Sequence, residues 1–293
     1  MSGDPLVAEL ASVQAVAAQA LPYSCESGYP LVAVDVGNSR VKCGFFAGAG
    51  ASALPSPSRT LDLTPGEDDF DALSSWLEPL TPRDVPWWIG SVERQVSSRL
   101  VAWLRGAGAG RITLLASSDL PLVVSLPRPD LVGIDRLLAA VAANRLRPPD
   151  APAILVDLGT AITVDLISAA GAFLGGAILP GIGLSARALN EFTDLLPLLD
   201  MRNLADPPPA LGRNTVEALR SGIYWGAVGG VKQLIELLSA QVAPAPRVYL
   251  TGGAAPAVAG LLTCSAEYVG HLTLAGIAIA TERLAGPAPA ARR

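Results

Sequence analysis

The chain has 293 residues, about half of them apolar (51%), and a formal net charge of −5. That length suits two ordinary domains or one large one, and the acidic balance argues against a sequence-independent grip on nucleic acid. Gly, Pro or a charge interrupts every apolar run before it could cross a bilayer, and three scattered cysteines with one histidine give no support for disulfides, zinc clusters or Ser-His-Asp hydrolysis.

The opening MSGDPLVAELASVQAVAAQA carries Asp4 and Glu9 where a secretory signal carries positive charge. Residues 1–29 are therefore expected to form an added helix and linker, and the protein to be cytoplasmic. LVAVDVGNSRVKCGFF, Leu31 to Phe46, follows: an apolar strand, a turn of Asp35, Gly37, Asn38 and Ser39, then a strand carrying Lys42. Lys42 stands out because the chain has only two lysines against nineteen arginines. The turn alone fits two readings, a tight hairpin made of the residues turns prefer or a phosphate-binding loop. WWIGSVERQVSSRLVAWLRG predicts a strand and then a helix from near Glu93, and RITLLAS and LPLVVSL predict further strands. GIDRLLAAVAANRLR, Gly133 to Arg147, has a helical pattern that the tandem prolines of RPPDAP end. A domain boundary is placed there, giving domains over 30–150 and 151–293.

The second half opens as the first does. ILVDLGTAITVDLIS, from Ile154, repeats apolar strand, Asp-x-Gly, small polar residue and second strand, and Asp157 lies 122 residues after Asp35. AFLGGAIL then predicts a strand running into Pro180-Gly181 and a helix from about Leu184. A long helix is expected from Thr215, with Asn214 and Glu217 as its capping box. RVYLTGGAA predicts a strand, a Gly252-Gly253 turn and a helix. The βββαβα order in each half predicts an α/β fold with mixed sheets and a cleft between two related domains.

Glycine turns after strands expose N–H groups toward an anion, and a neighbouring carboxylate can hold a metal ion that bridges phosphates. The two Asp-x-Gly turns have both parts, and no Gly-x-x-x-x-Gly-Lys-[Ser/Thr] loop is present. Asp135 beside Arg136 fits a helix start, where acidic residues are favoured, and equally a base that takes a hydroxyl proton while arginine steadies charge. Thr215 fits a cap and Lys42 an exposed strand position.

Taken in order, these residues resemble the type III pantothenate kinases, the Bvg accessory factor family of the actin-like ATPase superfamily. The resemblance runs from about Val32 to Ile277 and rests on Asp35-x-Gly37-Asn38-Ser39 with Lys42, Gly133-Ile134-Asp135-Arg136, and Asp157-x-Gly159-Thr160-Ala161-x-Thr163-x-Asp165. Gly175-Gly176, Pro180-Gly181, Asn214-Thr215 and Thr251-Gly252-Gly253 complete it. It implies duplicated RNase H-like domains, and transfer of the γ-phosphoryl of MgATP to pantothenate, the first step toward coenzyme A. By resemblance Asp135 is the base. Asp35, Gly37, Asn38, Ser39, Lys42, Gly159, Thr160, Ala161, Gly252 and Gly253 hold ATP, and Gly133, Ile134, Arg136 and Thr215 hold pantothenate. Asp157 and Asp165 serve metal ions, Asp165 lying near a monovalent cation, potassium or ammonium, and the implied assembly is a homodimer without nucleic acid or membrane partners. One departure is Leu126, where the family usually has tyrosine nine residues before the base. A non-catalytic ATP-binding relative and a kinase for another small hydroxylated substrate are the rival readings.

Overall fold

A computed structural model describes residues 28–48, 52–64, 70–201, 206–262 and 264–284. The expected N-terminal helix falls almost wholly outside them. β1 (Leu31–Val36) turns at Gly37, whose N–H donates to the Arg40 carbonyl at 3.0 Å, into β2 (Val41–Phe46). β3 (Arg59–Leu63), α1 (Ala72–Leu77), β4 (Trp87–Ser91), α2 (Arg94–Gly106) and β5 (Ile112–Leu114) follow. The Glu93 carboxylate caps α2 by accepting from the Gln95 and Val96 N–H groups, so the helix starts where the sequence predicts. The strands lie in the order β3-β2-β1-β4-β5, with the meander antiparallel and β1-β4-β5 parallel. After α3 (Ile134–Leu146) the scheme repeats as β6 (Ala153–Leu158), β7 (Ala161–Ile167), β8 (Phe173–Pro180), α4 (Ile182–Glu191) and α5 (Thr215–Ser239). β9 (Arg247–Thr251), α6 (Ala255–Ala259), β10 (Ala266–Tyr268) and α7 (Leu272–Leu284) complete it, and this sheet runs β10-β9-β6-β7-β8. Strand for strand the second sheet repeats the first.

Strand alternation sorts the side chains into three cores. Val32, Val34 and Val36 of β1 face outward with Trp87 and Ile89, under α1 and α2. Ile154, Val156 and Leu158 of β6 face outward under α4 and α5. The inner faces, carrying Leu31, Ala33, Ala153, Leu155 and Tyr249, share one core with α3 and α7 between them. The fold therefore has five layers, helices–sheet–helices–sheet–helices.

The two central helices are apolar all round, as a helix buried on every side must be. In α7 every residue from Leu272 to Thr281 is buried, and α3 buries Ile134 and Leu137 through Ala143. They touch at backbone level: a Cβ at Gly276 would overlap the Leu138 carbonyl. The helix from the end of the chain thus packs against β1 and β4 of the first sheet.

One predicted strand is not formed. LPLVVSL makes a single bridge, Val124 with Phe173, through Ser125 N–H to Phe173 O (2.9 Å) and Phe173 N–H to Val123 O (2.8 Å). Pro121 and Pro127 flank it and lack the donors that a longer ladder needs. The helix expected from Leu184 starts two residues earlier, at Ile182.

Gly276→Ala tests the helix contact. Alanine is the better helix former by about 1 kcal/mol. Overpacking typically costs about 1–3 kcal/mol, so the variant should be less stable in urea unfolding. Unchanged or higher stability would show that the helices can move apart.

Candidate active site

The inner faces of β1 and β6 are apolar until the last position before the turn. In β1 the inward series Leu31, Ala33 continues to Asp35, and in β6 Ala153, Leu155 continues to Asp157. Lys42 stands opposite Asp35 in the β1–β2 ladder and opposite Asp62 in β2–β3. Thr163 and Thr251 flank Asp157 on β7 and β9. Each carboxylate therefore ends a buried strand, where its charge loses water.

Burial holds both acids in the protonated direction. Asp35 is pushed up to about 7, first by desolvation; Lys42 opposes this, while Asp135 and Asp157 add to it. Asp157 is pushed up to about 6 by the same desolvation, with Lys42 opposing and Asp135 and Asp165 adding. Asp35, Asp135 and Asp157 thus feel one another across the cleft, with Lys42 as the shared cation.

The turns beyond these strands are open to ligand. Gly159 N–H donates to Ala161 O at 3.1 Å, leaving Gly159 and Thr160 exposed, and Gly181 N–H donates to Thr160 O at 3.0 Å. Asn38 is exposed and Ser39 half-buried. Gly252 has φ 92°, and a Cβ there would overlap Asp157 Oδ1, so only glycine fits; beside it Gly253 faces open space.

Asp157 Oδ1 is buried without a hydrogen-bond partner. An unpartnered buried carboxylate oxygen, kept clear by a left-handed glycine, fits a divalent cation. Among the described residues no three His, Cys, Asp or Glu side chains converge on one point. Mg²⁺ does not need them, since it is usually held by one or two carboxylates with waters and substrate phosphates.

α3 begins at the same end. Gly133 is its N-cap, and Asp135 folds back so that Oδ1 accepts from Arg136 N–H at 2.8 Å. The Ile134 side chain is buried in the inner core, leaving its backbone to meet a ligand. Arg136 does not point free into the cleft: its Nε donates to both oxygens of Asp165 at 3.1 Å, and its Nη2 bonds Asp165 Oδ1. Its guanidinium carbon lies 5.5 Å from the centre of the Phe173 ring. By resemblance Arg136 and Asp165 serve different ligands, whereas in the structure they pair with each other. The available signal was the opposite charge of two buried-element motifs.

Thr215 lies elsewhere. It starts α5, where Asn214 Oδ1 accepts from Glu217 N–H at 3.0 Å and Asn214 Nδ2 donates back at 2.9 Å. With Leu189, Leu196, Arg213 and Ile223 it lines a cavity of about 580 Å³ whose wall includes none of the carboxylates above. Leu126 packs beside Gly175, 3.4 Å from where a Cβ on that residue would lie.

Two sheets of one topology, each ending in a carboxylate and a glycine turn on the face of a common cleft, make a duplicated α/β fold with a paired acidic site. The family model for type III pantothenate kinase matches residues 31–237, and the chain belongs to that family. It is 42% identical over 167 residues to the type III pantothenate kinase of Anaeromyxobacter sp. (strain K), covering 57% of this chain and 63% of the relative. With that of Dehalococcoides mccartyi (strain CBDB1) it shares 34% over 247 residues, covering 78% and 86%. The alignment thus spans less than two thirds of the Anaeromyxobacter relative. A Baf-family protein of Campylobacter jejuni shares the fold with TM-score 0.54 at 21% identity, covering 84% of this chain and 95% of that one.

The raised acids predict a pH effect on the ligand-free protein. From about pH 4 to 6 the folded chain holds a proton on Asp157 that the unfolded chain releases, so stability falls as pH rises through that window. Asp157→Asn should melt above the unaltered protein at pH 8, with the gap shrinking at pH 5. A lower melting temperature for the variant at pH 8 would mean the ionised carboxylate is already compensated.

Proposed function

We propose that the protein transfers the γ-phosphoryl group of ATP to the terminal hydroxyl of pantothenate, giving 4'-phosphopantothenate and ADP, the first step of coenzyme A biosynthesis. The observation that carries this is the pair of inward carboxylates, Asp35 and Asp157, on matching strand ends with Asp135 coupled to both. Family membership supplies the substrate.

In this reading the turns at Gly37–Ser39 and Gly159–Ala161 hold the triphosphate through backbone N–H groups, with Lys42 adding charge from beneath. Gly252 and Gly253 bring a third turn to the nucleoside. Asp157 would hold Mg²⁺, with Asp35 close by, and the ion would offset the negative charge of the triphosphate. Asp135 takes the proton from the pantothenate hydroxyl as its oxygen bonds to the γ-phosphorus and the bond to the β–γ bridging oxygen breaks. Gly133, the backbone of Ile134 and Arg136 are assigned to pantothenate; Thr215, which lines the separate cavity, is not. The lack of a phenol at Leu126 removes one possible hydrogen bond.

A monovalent cation, potassium or ammonium, and a cytoplasmic location belong to the same proposal. So do the division into domains over 30–150 and 151–293, and a homodimer. Among the described residues no helix is long and apolar enough to cross a membrane. Phe192 (80% exposed), Leu195 (86%) and Leu198 (60%) follow α4, and Ile178 (63%) lies on the edge strand β8. Such an apolar surface supports a second copy as its cover.

Asp135→Asn keeps the shape but cannot accept a proton at neutral pH. A positioned general base contributes typically ~10²–10⁴-fold, so turnover should fall by about that factor while ATP affinity holds. Normal turnover would leave Asp135 a helix-start residue and remove it as the base. Replacing potassium by sodium should lower the rate of pantothenate phosphorylation, and full activity in sodium alone would remove the monovalent cation from the account.

A further inference from the structure

The buried pair Arg136–Asp165 joins the start of α3 to the middle of β7, linking the two sequence repeats beside the assigned base. Asp165 is 2% exposed and Arg136 14%. One edge of the guanidinium, Nε and Nη2, is occupied by the carboxylate, in the planar fork geometry that arginine offers and lysine does not. Phe173 lies beside the guanidinium. The Thr163 side chain bonds Asp165 as well, and a Cβ at Gly176 would overlap Asp165 Oδ1. Among the described residues no other acceptor engages the Arg136 guanidinium, which leaves Nη1 for a ligand.

A carboxylate so engaged is unlike Asp157, whose Oδ1 has no partner. A cation at Asp165 would have to break the fork and leave a buried arginine uncompensated, which is strongly unfavourable. We propose that Asp165 is the positioning residue for Arg136, clamping its Nε–Nη2 edge against Phe173 so that Nη1 faces pantothenate, and is not a ligand of the monovalent cation. This rests on the reading that Arg136 contacts pantothenate. Asp165 acts only through that arginine, and the clamp also fixes the first turn of α3, which carries Asp135.

The test is a double-variant cycle on the full chain: Asp165→Asn, Arg136→Gln and both together. Each is assayed for pantothenate-dependent ADP release with pantothenate, MgATP and potassium varied in turn. Hydrogen bonds to charged groups are strong, so Asp165→Asn should raise the KM for pantothenate about tenfold, with the KM for MgATP and half-saturating potassium moving less than about twofold. In the Arg136→Gln background the Asp165 change should add nothing further, because the group it positions is gone. A raised half-saturating potassium, an unchanged KM for pantothenate, or effects that multiply in the double variant would each overturn the proposal. If Asp165→Asn alone does not fold, the double variant, which buries no lone charge, is compared with Arg136→Gln. Equal KM values support the clamp and unequal ones refute it. An unaltered protein that releases no ADP in response to pantothenate would instead fail the functional reading, before any variant is compared.

Discussion

The site depends on one packing constraint: both sheets turn their inner faces onto the same two helices. α3 and α7 touch at Gly276 and Leu138 with no room for another carbon, which brings the two sheets to opposite sides of one thin layer. Because strand side chains alternate, the inward series of β1 and β6 fixes where Asp35 and Asp157 point. Neither acid could be moved by one residue without reaching an outer core. The cleft chemistry follows from the register of the strands.

That geometry has an electrostatic cost. Carboxylates at the ends of buried strands, with Lys42 as the nearby cation, are held in the protonated direction and repel one another. Perturbed acids in a cleft often mark function, and in the proposed reaction this is where the cation-bound triphosphate would sit. Arg136 and Asp165 contrast with it. Burial raises Asp165 too, but the Arg136 hydrogen bonds and charge oppose it directly, so the pair is suited to fixing geometry and less suited to capturing an ion.

Much of this was legible in the sequence because it lies in short patterns. The repeated Asp-x-Gly turn announced two related halves, Glu93 and Asn214 marked helix starts, and tandem prolines marked the end of α3. What could not be read was tertiary. The pairing of Arg136 with Asp165 joins residues 29 apart on different elements, and neither motif names the other as partner. LPLVVSL looked like a strand because its apolar run is β-rich, yet its flanking prolines leave it one bridge. The placement of α7 against the first sheet also has no local signal, since an apolar helix shows only that it is buried.

Central to the proposed function is proton loss from Asp35 and Asp157, both raised by burial, when a cation-bound nucleotide binds. Metal binding to such ligands releases protons. Calorimetric titration with MgATP at pH 6.5, in buffers of differing ionisation enthalpy, counts them directly. The account predicts net proton release, reduced in Asp157→Asn. Binding with no release, or with uptake, would contradict it.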